Sequence, residues 1–138
     1  MQNRHQLQIT NTLAELTTLQ NALQQYFDQH HISEDAAGEL MLVSEELVVN
    51  IINYGYHDQA KHKIAIDLSL TAQQLSVTFT DDAIPFNPLE QDTPELGLPS
   101  EEAEIGGLGI PLIQRLSDHQ HYEYKDGHNI FTISKSLS

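Results

Sequence analysis

Apolar residues recur three and four positions apart at Leu13, Leu16, Leu19, Leu23 and Phe27, which predicts an amphipathic helix over roughly residues 12–30. Asn11 or Thr12 is placed to cap its start. A second helix is predicted from Ser33, an N-cap followed by Glu34 and Asp35 in the first turn, to Tyr54, with Gly55 as its stop. Its apolar stretches around residues 40–43 and 47–49 are too rich for an ordinary surface helix, so most of it should be buried. The period then changes to two. Ile64, Ile66, Leu68 and Leu70 alternate with polar residues, as do Leu75, Val77 and Phe79, around a polar turn at 71–74, the signature of a hairpin. Two more strands are predicted at 119–125 and 129–134, joined across Asp126 and Gly127. A short edge strand over 7–9 and a third helix over 110–116 complete the pattern.

Length changes this picture little: 138 residues suit one domain, residues 1–138, with a real core. Charge changes it more. Twenty acidic side chains against six basic ones give a net charge of -14, which excludes a nucleic-acid surface, because phosphate backbones are held by clustered Lys and Arg. Partners with basic patches fit better. The chain has no cysteine, so it has no disulfide framework, zinc knuckle or thiol nucleophile. Its polar start is unlike a signal peptide and no apolar run is long enough for a membrane span, so the expected location is the cytoplasm. Residues 87–104 hold Pro88, Pro94, Gly97 and Pro99 with the carboxylates of Glu90, Asp92, Glu95, Glu101, Glu102 and Glu104, and show no period. A connection this long is a lid, a binding loop or a disordered segment.

Three local patterns carry candidate chemistry. On the second helix, Glu46 and Asn50 are four apart, and Glu39, Asn53 and His57 extend the same line, a polar stripe on an apolar rod. The plain reading is a solvated face. The apolar surroundings favour a cleft instead, where an amide oxygen suits Mg2+ bound with phosphates and a carboxylate suits a proton. Glu45 competes as the base but points about a hundred degrees off the line of Asn50. Asp81 and Asp82 end a strand before Pro85, which is an ordinary turn unless one carboxylate accepts a hydrogen bond from an exocyclic amine, selecting adenine over guanine. Phe86 could wall that base. Gly106, Gly107 and Gly109 precede the third helix, where backbone amides and the helix dipole favour an anion, although glycine there is also a simple flexible connection. Neither the Lys-Ser/Thr of a Walker loop nor the spacing of a dinucleotide fingerprint follows. The histidine pairs His30 with His31 and His119 with His121 read as ordinary exposed residues, with no third ligand in register.

Taken in order, the three patterns resemble the GHKL ATP-binding superfamily and, within it, the anti-sigma factor serine kinases of bacterial partner-switching systems. Glu46, Asn50, Tyr54, Gly55 and Tyr56 match the N box, E-x-x-x-N-x-x-x-[HY]-[GA]-Y. Asp81, Ala83, Pro85, Phe86, Asn87 and Pro88 match the adenine box, and Gly106 to Ile113 match the glycine box. The resemblance covers nearly the whole chain. It implies an α+β, two-layer α/β sandwich, the Bergerat fold, with a mixed, mostly antiparallel sheet, helices on one face and an ATP lid at about 87–109.

The same resemblance implies roles. Glu46 would be the general base that takes a serine proton, and Asn50 would hold Mg2+ against the ATP phosphates. Asp81 would bind the adenine amine, with Asn53, Ala83 and Phe86 in the nucleotide pocket, and Gly106, Gly107, Leu108 and Gly109 would hold phosphates. The implied partners are a STAS-domain anti-anti-sigma protein, a sigma factor or other regulator, and a second copy of the chain as a homodimer. Ala83 stands where many relatives have glycine, and the acidic lid carries no Lys or Arg, so Lys61, Lys63 or Arg115 are the candidate helpers for charge neutralisation. Three functions share this pocket: a serine/threonine-protein kinase, a nucleotide-gated protein-binding regulator with little or no transfer, and a scaffold in which the pocket has decayed.

Overall fold

A computed structural model describes residues 3–56, 58, 60–85, 87, 113 and 115–137. Strand β1 (Asn3–Thr10) leads through a 3-10 turn (Leu13–Glu15) into helix α1 (Leu16–Gln29), followed by helix α2 (Glu34–Tyr54). Strands β2 (Lys63–Leu70), β3 (Gln74–Asp81), β4 (His119–Lys125) and β5 (His128–Ser136) complete the described elements. The five strands form one sheet in the order β1-β2-β3-β5-β4, and every ladder among them is antiparallel. The expected α+β sandwich is therefore present, with no parallel pair among the described strands.

The alternation read in the sequence decides which face is covered. Ile64, Ile66 and Leu68 of β2, Leu75, Val77 and Phe79 of β3, and Phe131 and Ile133 of β5 are buried in one cluster with Leu19, Leu23 and Phe27 of α1 and Leu40, Val43, Leu47 and Val48 of α2. Both helices thus lie on one face of the sheet. The intervening positions are small or polar apart from Ile130, and cross-strand pairs such as Ser76–Ser134 and Thr78–Thr132 share hydrogen bonds of 3.0 Å there. Ile113, the described start of the third predicted helix, is also buried in the core; the rest of that helix's first turn lies outside the described residues.

Several predicted ends moved, each for a local reason. β1 runs over eight residues rather than three, because its ladder with β2 continues from Ile9↔Ile64 to Asn3↔Leu70. Ser33 caps α2 as expected, its hydroxyl accepting from Ala36 N–H at 3.2 Å. Neither candidate caps α1 through its side chain. Thr12 makes no side-chain cap bond, and Asn11 instead clasps His62, accepting from the His62 N–H at 2.9 Å while its own N–H donates to the His62 carbonyl at 3.0 Å. Glu15 anchors the helix start, accepting from Thr10 N–H at 3.1 Å and Thr18 Oγ1 at 2.9 Å. The β4–β5 turn is as read: Asp126 and Gly127 both have positive φ, 55° and 79°, as a two-residue hairpin turn requires.

Candidate functional site

Helix α2 carries the polar stripe, and its members divide into engaged and free groups. Glu39, at the helix's first half, forms an ion pair with Lys135 Nζ at 2.6 Å, and that ammonium also donates to the Leu116 carbonyl. Glu45 accepts from Gln20 Nε2 of α1, so it faces the neighbouring helix, as its angular offset from Asn50 implied. Glu46 and Asn50 are half-buried, and neither side chain shares a hydrogen bond or ion pair with any described residue. Asn53 is exposed one turn further on; His57 lies outside the described residues. An amide oxygen and a carboxylate oxygen on adjacent turns are hard donors of the kind that suits Mg2+.

The end of α2 meets the end of β3 through Gly55. The helix stops there as expected, and Gly55 has φ -85° and ψ -20°, which any residue tolerates, so a left-handed backbone is not what calls for glycine. Its reason is space. A Cβ at Gly55 would lie 2.6 Å from the Ile51 carbonyl oxygen and 2.7 Å from the Ala83 Cβ. The Gly55 carbonyl in turn accepts from Ile84 N–H at 3.0 Å. Ala83, the departure from glycine noted above, is buried and fills the space that Gly55 leaves. Asn50 lies five residues before this joint, about 7.5 Å along the helix axis.

Asp81 closes β3 on the covered side of the sheet and is only 4% exposed. One of its oxygens, Oδ1, accepts from Ala83 N–H and from Asn129 Nδ2, both at 3.0 Å; no described residue donates to Oδ2. Burial pushes the carboxyl above its ordinary 3.8, the Asn129 and Ala83 hydrogen bonds hold it down, and the negative Asp82 beside it adds to the upward push. A half-saturated, buried carboxylate can take a donor from a ligand.

Asp82, exposed, points into a second cluster. His62 Nδ1 lies 3.1 Å from Asp82 Oδ2 and His62 Nε2 lies 2.9 Å from Asp58 Oδ1, with Tyr56 stacked on the imidazole at a centroid distance of 4.3 Å and its hydroxyl 3.3 Å from Asp82 Oδ1. Only an imidazolium can donate from both nitrogens. The two carboxylates raise the His62 pKa above 6.5, Asp58 contributing first, and burial followed by the charges of Asp81 and Asp82 pushes the Tyr56 phenol up. The ring nitrogens face opposite carboxylates, and among the described residues no group of three His, Asp or Glu side chains is placed to hold a metal.

Of the residues expected in the site, Glu46, Asn50, Asn53, Asp81 and Ala83 are therefore on α2 and the β3 end. Phe86, Gly106, Gly107, Leu108, Gly109 and all of the expected lid but Asn87 lie outside the described residues. The sequence reading missed Asn129 and His62. Asn129 had a signal, since it shares the inward parity of Phe131 and Ile133 in β5, and an amide on a core-facing position needs partners. His62 had none, because its two carboxylates come together only in the folded chain.

Over 97 residues the chain is 26% identical to the anti-sigma F factor of Oceanobacillus iheyensis, covering 70% of this chain and 66% of that protein. It is 24% identical over 95 residues to the serine/threonine-protein kinase BtrW of Bordetella bronchiseptica, covering 69% and 67%. It thus spans about two thirds of the length of these relatives. The crystal structure of the RsbU and RsbW domains of Rv1364c from Mycobacterium tuberculosis shares the fold, with a TM-score of 0.71 at 12% identity, over 98% of this chain and 32% of that one. The family described as the histidine kinase-like ATPase domain matches residues 9–135, a stretch that takes in α2, the Gly55–Ala83 joint and the β3–β5 pair, and the chain belongs to that family.

Proposed function

We propose that this chain is an ATP-dependent serine/threonine-protein kinase of a partner-switching system. In this reading it works in the cytoplasm as an anti-sigma regulatory factor and phosphorylates a STAS-type anti-anti-sigma partner. Residues 1–138 act as one ATP-binding domain with a lid near 87–109. The observation that carries the proposal is the contrast along one joint: Glu46 and Asn50 are unengaged on α2, and Asp81 keeps one carboxylate oxygen open at the β3 end to which α2 is fixed. The names of the relatives, an anti-sigma factor and a serine/threonine-protein kinase, point the same way.

Each residue has a defined task in this reading. Asp81 accepts a hydrogen bond from the adenine amine. Asn50 offers its amide oxygen to Mg2+, which when bound neutralises phosphate charge and aligns the γ-phosphoryl group. Glu46 takes the proton from the target hydroxyl as that oxygen bonds to the γ-phosphorus and the bond to the β–γ bridging oxygen breaks, leaving ADP. Phosphoryl transfer depends mainly on positioning and charge neutralisation, so a sparse set suffices. Among the described cations, Lys135 is committed to Glu39.

The test is the melting temperature with ATP, with and without Mg2+, beside GTP and Asn50→Ala, followed by transfer of labelled phosphate to a STAS protein. A shift that needs ATP and Mg2+, fails with GTP and is lost in Asn50→Ala supports the pocket; no shift at millimolar ATP overturns it. Glu46→Gln separates the kinase from a nucleotide-gated regulator. It abolishes transfer and spares binding in a kinase, and changes neither if nucleotide only gates partner binding.

A further inference from the structure

Asn129, the second residue of β5, lies directly across from Asp81 in the β3–β5 ladder. Its amide nitrogen lies 3.0 Å from Asp81 Oδ1, 2.9 Å from the Ile84 carbonyl and 3.3 Å from the Ala83 carbonyl. Its amide oxygen accepts from the Tyr122 hydroxyl of β4. The amide can sit only one way round: flipped, its oxygen would face three acceptors, and Tyr122 would face a nitrogen with no lone pair to offer. Its bond to Asp81 is the route by which it would act on a nucleotide. Asn129 and the Ala83 N–H together fill Oδ1, and Oδ2 is left as the oxygen with no described donor.

We infer that Asn129, held by Tyr122, is a specificity-determining positioning residue that fixes the orientation of Asp81 and so makes the site choose an amino group over a carbonyl on the purine. This rests on the reading of Asp81 as the base acceptor. The Asn129 amide does two things for the carboxylate. Together with the Ala83 N–H it fixes the carboxyl plane, whose last torsion a single donor restrains less. It also favours the ionised form, which accepts from an amine, over the protonated form, which donates to a carbonyl. Adenine presents the amine at its six position and hypoxanthine presents a carbonyl there, with no other difference on that edge except the proton at the adjacent nitrogen. Inosine triphosphate is therefore the probe.

The experiment is calorimetric titration of the full chain with Mg-ATP and Mg-ITP from pH 5 to 8, in the wild type, Asn129→Leu and Tyr122→Phe. The wild type is expected to prefer ATP by roughly tenfold or more near neutral pH, about what one charge-assisted hydrogen bond provides. In Asn129→Leu the preference falls to within about threefold and the acid limb of ATP binding moves to higher pH, because the donor that held Asp81 down is gone. Tyr122→Phe moves both in the same direction by less, and decides the matter if Asn129→Leu does not fold. The other charged or titratable groups facing Asp81, namely Asp82, His128 and Tyr56, are unchanged in all three proteins. Equal loss of ATP and ITP with an unmoved acid limb would make Asn129 merely structural and overturn the inference, as would unaltered preference in the variants that fold. A wild type that binds ATP and ITP alike, or neither, would instead defeat the reading of Asp81 itself.

Discussion

At the β3 end of the candidate site, a buried carboxylate is gripped by two protein donors on one oxygen, and the amide that grips it is itself held from β4. On α2, Glu46 and Asn50 stand half-buried without a described protein partner. In the proposed function the difference follows from what each end recognises. A purine edge is a fixed pattern of donors and acceptors, and reading it needs an acceptor whose direction is set beforehand. Phosphates and Mg2+ bring their own charge and coordination demands, so the chain need only leave oxygen donors free at the right spacing. Preorganised groups contribute to fold stability, and groups reserved for a ligand do not.

The joint between the two ends is where the comparison breaks most readily. Gly55→Ala places a methyl 2.6 Å from a backbone oxygen and 2.7 Å from the Ala83 methyl, and is expected to destabilise the fold by about 2–3 kcal/mol in urea denaturation, the range of an overpacked contact. Ala83→Gly added to it should recover only part of that loss, because the Ile51 carbonyl remains in the way; full additivity would show that the two sites do not touch. Asp81→Ala comes next. It strips the acceptor from Asn129 and from the Ala83 N–H, and is expected to destabilise by about 1–2 kcal/mol, the effect of leaving buried donors with one partner fewer. In the proposed function the same substitution is also expected to abolish preference for adenine.

How much of this was legible in the chain differs between the two ends. The period-two runs placed β2 and β3 almost to the residue, and the Asp126–Gly127 turn placed the β4–β5 hairpin, because alternation and positive φ are local signals. The place where the first helix starts was legible, with Thr12 as N-cap of the 3-10 turn that runs into α1, but its capping bond was not. Asn11 and Thr12 have capping chemistry, but Asn11 is drawn to His62, 51 residues away, and a local rule cannot weigh a tertiary bond. The α2 stripe was legible because a polar line on a helix needs only spacing. Gly55 was read correctly as the end of a helix, but the space it leaves for Ala83 is a tertiary contact that no local pattern shows. The grip on Asp81 was the hardest to see, for it depends on the pairing of β3 with a strand that starts 47 residues after β3 ends.

The His62 cluster extends the comparison to pH, since it ties Asp82, next to the gripped Asp81, to the segment between α2 and β2. Its folded pKa lies above 6.5 and the shift comes from Asp58 and Asp82. Its contribution to stability is therefore fully present below about pH 6.5 and is lost as pH rises through the folded value. The melting temperature should fall modestly over that window, and His62→Gln should flatten the change. A wild-type profile identical to that of His62→Gln would show that the clasp adds nothing.

The smallest expected effect is the sharpest test of the contrast. Glu46→Gln and Asn50→Ala remove groups with no described protein partner, so each should change the unfolding free energy of the nucleotide-free protein by no more than about 0.5 kcal/mol, as at an uninvolved surface position. The same Asn50→Ala should remove the Mg2+-dependent part of stabilisation by ATP. Near-zero cost without ligand and a large loss with it is the mark of a group reserved for a ligand. If Asn50→Ala instead destabilised the nucleotide-free protein as much as Asp81→Ala does, both ends would be parts of the scaffold, and α2 would have no free phosphate-facing stripe to offer.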